Sequence, residues 1–342
     1  KPRRIGQNRN ERKRNLPSGI DRIARMISLV QSRGNTPLFD LRGNVAEGDS
    51  TETWFATGET LDRGRFAREM RRAPPKKTYL MFFTPRSGSS WFTDIARQSR
   101  VLGSPEEAFN PNWFRRTAQA FNVTGMQEYC DILRRRRQVG DVCGAQITWH
   151  QLNKLFCSPS ELPGMMKVDA FFWLIRMDIV AQAVSLAKMV ATGIAHSPQS
   201  SAEEVRAAEA GFEYDADEIA RWLEHILKAE TGTEDYFREH GITPLRMTYE
   251  RNMAYSPDSL VTLARQYVGL DPIAPQGSKT DGAHRKIGTR QNSEFAARFR
   301  QDRESYVLSV EERRAEMLEA FVGYEDQISP GDGEEAEPES RC

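Results

Sequence analysis

An α/β fold, with helices on both faces of a central and mostly parallel sheet, is what the sequence predicts. Three observations carry it. Short apolar runs of strand length recur at Tyr79–Phe83, Val142–Ile147, Ala170–Ile175 and Leu245–Met247. Helical periodicity fills the intervals between them. The first run also passes through a turn of small residues straight into a helix. Strands apolar on both faces must be covered on both, and strands separated by helices pair in parallel, so the layers stack as α/β/α. The 342 residues suffice for one large domain of this kind or two smaller ones.

Residues 1–75 read as an N-terminal extension. Lys1–Pro17 is dense in Lys and Arg against the single acid Glu11. A solvated tail is its default reading, with a nucleic-acid or membrane arm as the alternative. Ile20, Ile23, Ile27 and Val30 then share one helical face. Docking on the main domain is the default for that face, ahead of a dimer contact or a membrane surface. Gly34–Pro75 has no clean period and reads as a linker or an irregular cover.

The main domain is expected over 76–328. After the first strand comes Thr84-Pro85-Arg86-Ser87-Gly88-Ser89-Ser90-Trp91, where the helical pattern begins. A strand entering a helix through a small-residue turn makes an anion cradle: backbone N–H groups converge on one spot and the helix dipole favours negative charge there. Arg86 adds a charged fork and the serines add hydroxyl donors. The ligand is therefore a phosphate or sulfate ester. The loop lacks the Lys of G-x-x-x-x-G-K-[ST] and the glycines of G-x-G-x-x-G, so neither a triphosphate loop nor a dinucleotide fingerprint is present.

Farther on, Val180, Ala183, Val184, Ala187 and Val190 mark one helix. Ile219, Trp222, Leu223, Ile226 and Leu227 mark another, opening near Asp215 or Asp217 as N-cap. A last helical stretch is expected at Asn292–Tyr306. The tail 329–342 is rich in Glu and reads as disordered. The formal net charge of zero thus hides a basic start and an acidic end.

Other classes are bounded by what the chain lacks. The four cysteines show no C-x-x-C spacing, and His196, His225, His240 and His284 show no ligand spacing, so no metal is expected. No apolar run approaches the ~20 residues of a membrane span, and the basic N-terminus has no apolar core of a signal peptide. A cytoplasmic location follows as an expectation, and the initial Lys in place of Met leaves a native upstream segment open.

Four ordered segments carry a resemblance. The loop TPRSGSSW is similar to the 5′-phosphosulfate loop of sulfotransferases that use 3′-phosphoadenosine 5′-phosphosulfate (PAPS). Leu102–Phe109 resembles the G-x-P-x-E-x-F stretch of the bacterial trehalose 2-sulfotransferase group, and Gly144–Trp149 its G-x-K-x-x-W strand. Ile175–Ser185 resembles its R-x-D-x-V-x-Q-A-V-S segment. The match covers about Lys76–Arg303, with Gln146 where the group has Lys.

The resemblance implies a sulfotransferase version of the P-loop-like α/β/α fold and transfer of a sulfuryl group from PAPS to a carbohydrate hydroxyl, leaving PAP. It implies that Arg86, Ser87, Gly88, Ser89, Ser90 and Trp91 hold the phosphosulfate, with Arg86 also steadying the leaving charge. Arg176 and Ser185 would take the 3′-phosphate, and Arg285 and Lys286 would close over it. Glu107 is the candidate base and His150 its rival. Phe109, Trp113, Trp149 and His150 are candidates for the acceptor, since aromatic faces stack on sugars. The expected partners are a saccharide or glycolipid acceptor and a second copy of the chain, with peripheral membrane contact through the basic N-terminus and no specific nucleic acid. A divergent kinase and a non-enzymatic anion-binding module are the competing classes.

Overall fold

The computed structural model describes residues 54–55, 61–193, 203, 210–271 and 290–328. Five strands form one sheet: β1 (Lys77–Phe83), β2 (Gln138–Val139), β3 (Val142–Ile147), β4 (Ala170–Ile175) and β5 (Leu245–Thr248). Their order is β2-β3-β1-β4-β5. β1 runs parallel to both β3 and β4, β5 runs parallel to β4, and only the short β2 is antiparallel. The chain steps from the central β1 to β3 on one side and then to β4 on the other. That reversal opens a crevice at the carboxyl end of β1, where ligands of such sheets bind.

The strand sequences explain the layering. Within KTYLMFF, Leu80 and Phe82 enter one core while Tyr79, Met81 and Phe83 enter the other, as a period of two requires. On the first face pack α3 (Pro111–Phe121), α4 (Met126–Arg137), α5 (Trp149–Leu155), α6 (Leu162–Met166) and the C-terminal part of α8 (Ala216–Glu239). On the second pack α2 (Ser89–Ser99), α10 (Pro257–Tyr267) and α13 (Tyr324–Ile328). Next to α8 lies α7 (Ile179–Thr192), which α11 (Arg290–Asp302) covers in turn. The remaining helices are α1 (Arg63–Met70), α9 (Tyr249–Asn252) and α12 (Glu304–Glu319). Gly144 of β3 is required by a close approach: a Cβ there would strike the Tyr79 ring, whose hydroxyl donates to the Leu102 carbonyl at 2.8 Å.

Several sequence expectations change here. Reading Gly34–Pro75 as linker or irregular cover misses α1, which Asp62 caps through its carboxylate. Arg63 of α1 pairs with Glu128 of α4 at 2.7 Å, and Trp54 and Phe55 meet Phe114 edge-on. The stretch Asn292–Tyr306 is two helices, α11 and α12, with a break at Arg303. Asp215 is the N-cap of α8, accepting from the backbone of Asp217 and Glu218. The basic arm, the helical face Ile20–Val30 and the acidic tail lie outside the described residues.

Candidate active site

The loop after β1 takes the cradle shape through two left-handed residues, Arg86 at φ 68° and Gly88 at φ 89°. Glycine is needed at 88 twice over, since a Cβ would also sit 2.8 Å from Cδ2 of Tyr249. Arg86 pays strain of about 1–2 kcal/mol to hold its own geometry, the kind of cost that clusters at functional sites. Gly88 is the N-cap of α2 and contributes no side-chain cap, so the first N–H groups of that helix face the crevice. From α7, the fully buried Gln182 reaches back and donates to Thr84 Oγ1 at 2.9 Å and to the Pro85 carbonyl at 2.7 Å. That amide braces the loop from behind.

Arg86 extends to α7, where its Nε donates to Ser185 Oγ at 3.0 Å. Sequence reading assigns these two residues to different anion sites; the structure bonds them, so the two sites adjoin. Arg176 follows the end of β4 and lies over Tyr249 of α9, its guanidinium carbon 5.0 Å from the ring centroid. Burial, with the like charge of Arg176 added, pushes the Arg86 guanidinium down to about 10. Two cations pressed together in a partly desolvated crevice gain from an anion between them.

Of the buried donors that lack a hydrogen-bond partner among the described residues, Arg246 Nε of β5 included, two belong to the crevice. One is Ser87 Oγ in the loop and the other is Arg176 Nε at the end of β4. Arg176 Nε forms a long ion pair with Glu250 Oε1 at 3.8 Å, beyond hydrogen-bond reach. Buried polar groups are almost always paired, so an orphan at each of two adjoining cationic spots fits a ligand with two anionic ends. Tyr249 stands between them, against Gly88 on one side and under Arg176 on the other.

Glu107 lies in the segment between α2 and α3. Asn110 Nδ2 and Gln151 Nε2 donate to its Oε2 at 2.9 and 3.0 Å. Both donors are helix-cap residues. Asn110 caps α3 with its amide oxygen, which accepts from Asn112 N. Gln151 closes the Thr148 capping box of α5 with its own amide oxygen. In each case the cap uses the oxygen and leaves the N–H for Glu107. Burial raises the Glu107 carboxyl above the usual carboxylate range, while the two amide bonds pull the other way. The result is an oriented carboxylate of elevated basicity, as a general base requires.

The segment that carries Glu107 is tied to the loop after β1 through Gln146 of β3, which stands where the resembled group has Lys. Its Nε2 donates to Thr93 Oγ1 at 2.7 Å and to the Ser89 carbonyl at 3.1 Å. Thr93 in turn donates to the Pro105 carbonyl at 2.6 Å. A neutral amide thus joins the first turn of α2 to the stretch that carries Glu107.

The remaining expected residues divide. Trp113 is 40% exposed and donates from Nε1 to the Glu107 backbone carbonyl at 3.0 Å, so its ring is anchored to the segment that carries the carboxylate. Phe109 corrects the expectation of a sugar platform: it is fully buried, its centroid 5.6 Å from Phe156 and 5.9 Å from Tyr129. Trp149 and His150 occupy the first turn of α5, not a strand end, and both turn toward α8. A Cβ at Gly232 would strike the Trp149 indole. His150 stacks on His225 at 3.9 Å and donates from Nε2 to its carbonyl at 3.2 Å. Burial keeps the His150 ring below the usual imidazole range. Ser89 is buried, Ser90 is half-buried, and Trp91 leans on the second core. Arg285 and Lys286 lie outside the described residues. Asn110, Gln151 and Gln182 are supporting residues that sequence reading missed, and it noted Gln146 only as a departure from Lys. The Asn-Pro pair and the T-x-x-Q box signal the first two as caps, but nothing local signals their second partner.

Among the described residues no group of three or more His, Cys, Asp or Glu could hold a metal ion, and no helix is long and apolar enough to cross a membrane. The family model described as Stf0 sulphotransferase matches residues 78–302, about two thirds of the chain. No curated protein matches the chain. The matched span includes every element of the crevice from the cradle to Arg176 and Tyr249, and the chain belongs to the Stf0 sulphotransferase family.

Proposed function

We propose that this member of the Stf0 sulphotransferase family transfers a sulfuryl group from PAPS to the hydroxyl of a saccharide or the sugar of a glycolipid. The observation that carries the reading is the pair of orphaned buried donors, Ser87 Oγ and Arg176 Nε, on adjoining cationic spots. PAPS has a 5′-phosphosulfate and a 3′-phosphate, and an anion at each spot would satisfy one orphan. Ser87, Gly88 and the first N–H groups of α2 suit the phosphosulfate. Arg176 suits the 3′-phosphate, as does Ser185, which is bonded to Arg86.

The chemistry needs a base for the acceptor proton and positive charge where the leaving phosphate gains negative charge. Glu107 supplies the first: its carboxylate is oriented by Asn110 and Gln151, and burial makes it more basic than an exposed acid. Arg86 and the helix N-terminus supply the second, with little reorganisation because Gln182 and Ser185 already hold them. His150 is the weaker candidate for the base, since its Nε2 is committed to the His225 carbonyl on α8. Trp113, exposed and anchored to the Glu107 backbone, offers a face on which a sugar ring can stack beside the base.

Incubation with sulfur-labelled PAPS and a saccharide panel, beside ATP·Mg²⁺ and the same panel, tests the reading. Label should pass from PAPS to a saccharide, and PAP should raise the melting temperature. Stabilisation by ATP·Mg²⁺ alone, with phosphorylated product, would replace sulfuryl by phosphoryl transfer.

A further inference from the structure

The turn from β4 into α7 carries Arg176, and it is held from three directions. Glu250 of α9 accepts from the backbone N–H of Met177 at 2.9 Å and of Asp178 at 3.3 Å. Arg300 of α11 donates to the Asp178 carboxylate at 2.6 Å. On the carbonyl side stands Arg314 of α12, beyond the span that the family model matches. Its Nη1 donates to the Met177 carbonyl at 2.8 Å and its Nη2 to the Arg176 carbonyl at 2.9 Å. Its Nε and Nη2 also donate to the Glu230 carboxylate on α8, at 2.8 and 3.0 Å. The Arg314 and Glu230 side chains are 2% and 1% exposed.

An ion pair this deep contributes little net stability, because desolvation offsets most of its attraction and well-packed apolar residues would often do as well. What it supplies is direction. A planar fork pinned by a carboxylate aims two N–H groups at two successive carbonyls, which a lysine ammonium cannot reproduce. Those carbonyls belong to Arg176 and its neighbour, so the fork sets the backbone from which the Arg176 guanidinium reaches over Tyr249.

We infer that Arg314, oriented by Glu230, is a positioning residue for donor recognition: it fixes Arg176 where the 3′-phosphate of the donor binds, so α12 completes the nucleotide site without touching the ligand. The inference rests on the assignment of Arg176 to that phosphate.

The test combines PAP affinity by calorimetry with KM values for PAPS and acceptor in wild type, Arg314→Lys, Arg176→Ala and the double variant. Arg314→Lys should weaken PAP by about tenfold to a hundredfold, as a displaced positioning group does, and raise the PAPS KM in step. The acceptor KM should hold. Because Arg314 acts through Arg176, adding Arg314→Lys to Arg176→Ala should cost almost nothing more. A variant that melts earlier yet binds PAP as wild type does, or losses that simply add, would overturn the inference. If Arg314→Lys does not fold, Glu230→Gln, which keeps the shape and frees the fork, decides by the same readouts: weaker PAP binding supports it and unchanged binding overturns it. Failure of wild type to bind PAP would strike the functional reading itself. Normal wild-type binding with a silent Arg314 would strike only this inference.

Discussion

The two halves of the crevice are built differently. On the proposed donor side, each group that would meet an anion is backed by a hydrogen bond from another element: Gln182 behind the loop, Ser185 beside Arg86, and Arg314 under Arg176. On the acceptor side, Glu107 lies on a connecting segment held by two amide side chains and a Trp113 bond, and the ring beside it is 40% exposed. A fixed nucleotide can be met by rigid elements, whereas the acceptor, on the proposed function, would be met by a connecting segment and an exposed ring. On that function, donor recognition would then follow from the fold, and acceptor choice would not.

If the halves are separable, damage to one should leave the other intact. The largest effect is expected from Glu107→Gln, which removes the proposed base and should lower kcat by about a thousandfold. PAP affinity should stay near wild type by calorimetry; near-normal turnover would show that Glu107 is not the base. Gly88→Ala attacks the other half through the positive φ and the Tyr249 contact. It should weaken PAP by about a hundredfold, with a normal pH profile in the turnover that remains. A smaller effect, about tenfold on acceptor KM with unchanged PAP affinity, is expected for Trp113→Ala in steady-state kinetics. A rise in the PAPS KM instead would move that ring to the donor side.

The smallest and sharpest effect is in pH. Glu107 must be charged to take a proton, so kcat should fall as pH drops through its pKa, and burial places that limb above the ordinary carboxylate range. Gln151→Leu removes a donor that favours the charged form. The limb should then move to higher pH by up to about one unit. A shift to lower pH would mean that Gln151 does not act on the carboxylate.

What could be read in the chain follows the same division. The strands, the loop and the positions of Arg176 and Ser185 depend on local patterns: two-residue alternation in KTYLMFF, small residues before a helix, an Arg at a strand end. Phe109 and Trp113 could not be separated that way, because both are aromatic and four residues apart, and only the packing of Tyr129 and Phe156 buries the first. The second jobs of Asn110 and Gln151 escape notice because a cap explains each residue locally, while the spare N–H meets Glu107 only in three dimensions. Arg314 is hidden for a stronger reason. It lies 138 residues from Arg176, and a charged residue in a helix reads as solvated until its burial is known.

Everything on the proposed donor side rests on recognition of one nucleotide by two anionic ends. The most direct test is calorimetric titration of the wild-type protein with PAP, 5′-AMP and 3′-AMP. PAP should bind at least about tenfold tighter than either single-ended nucleotide, each charged contact being worth about 1.5–3 kcal/mol. Equal affinity for PAP and 5′-AMP would contradict it, leaving the loop a one-ended cradle and Arg176 without a ligand.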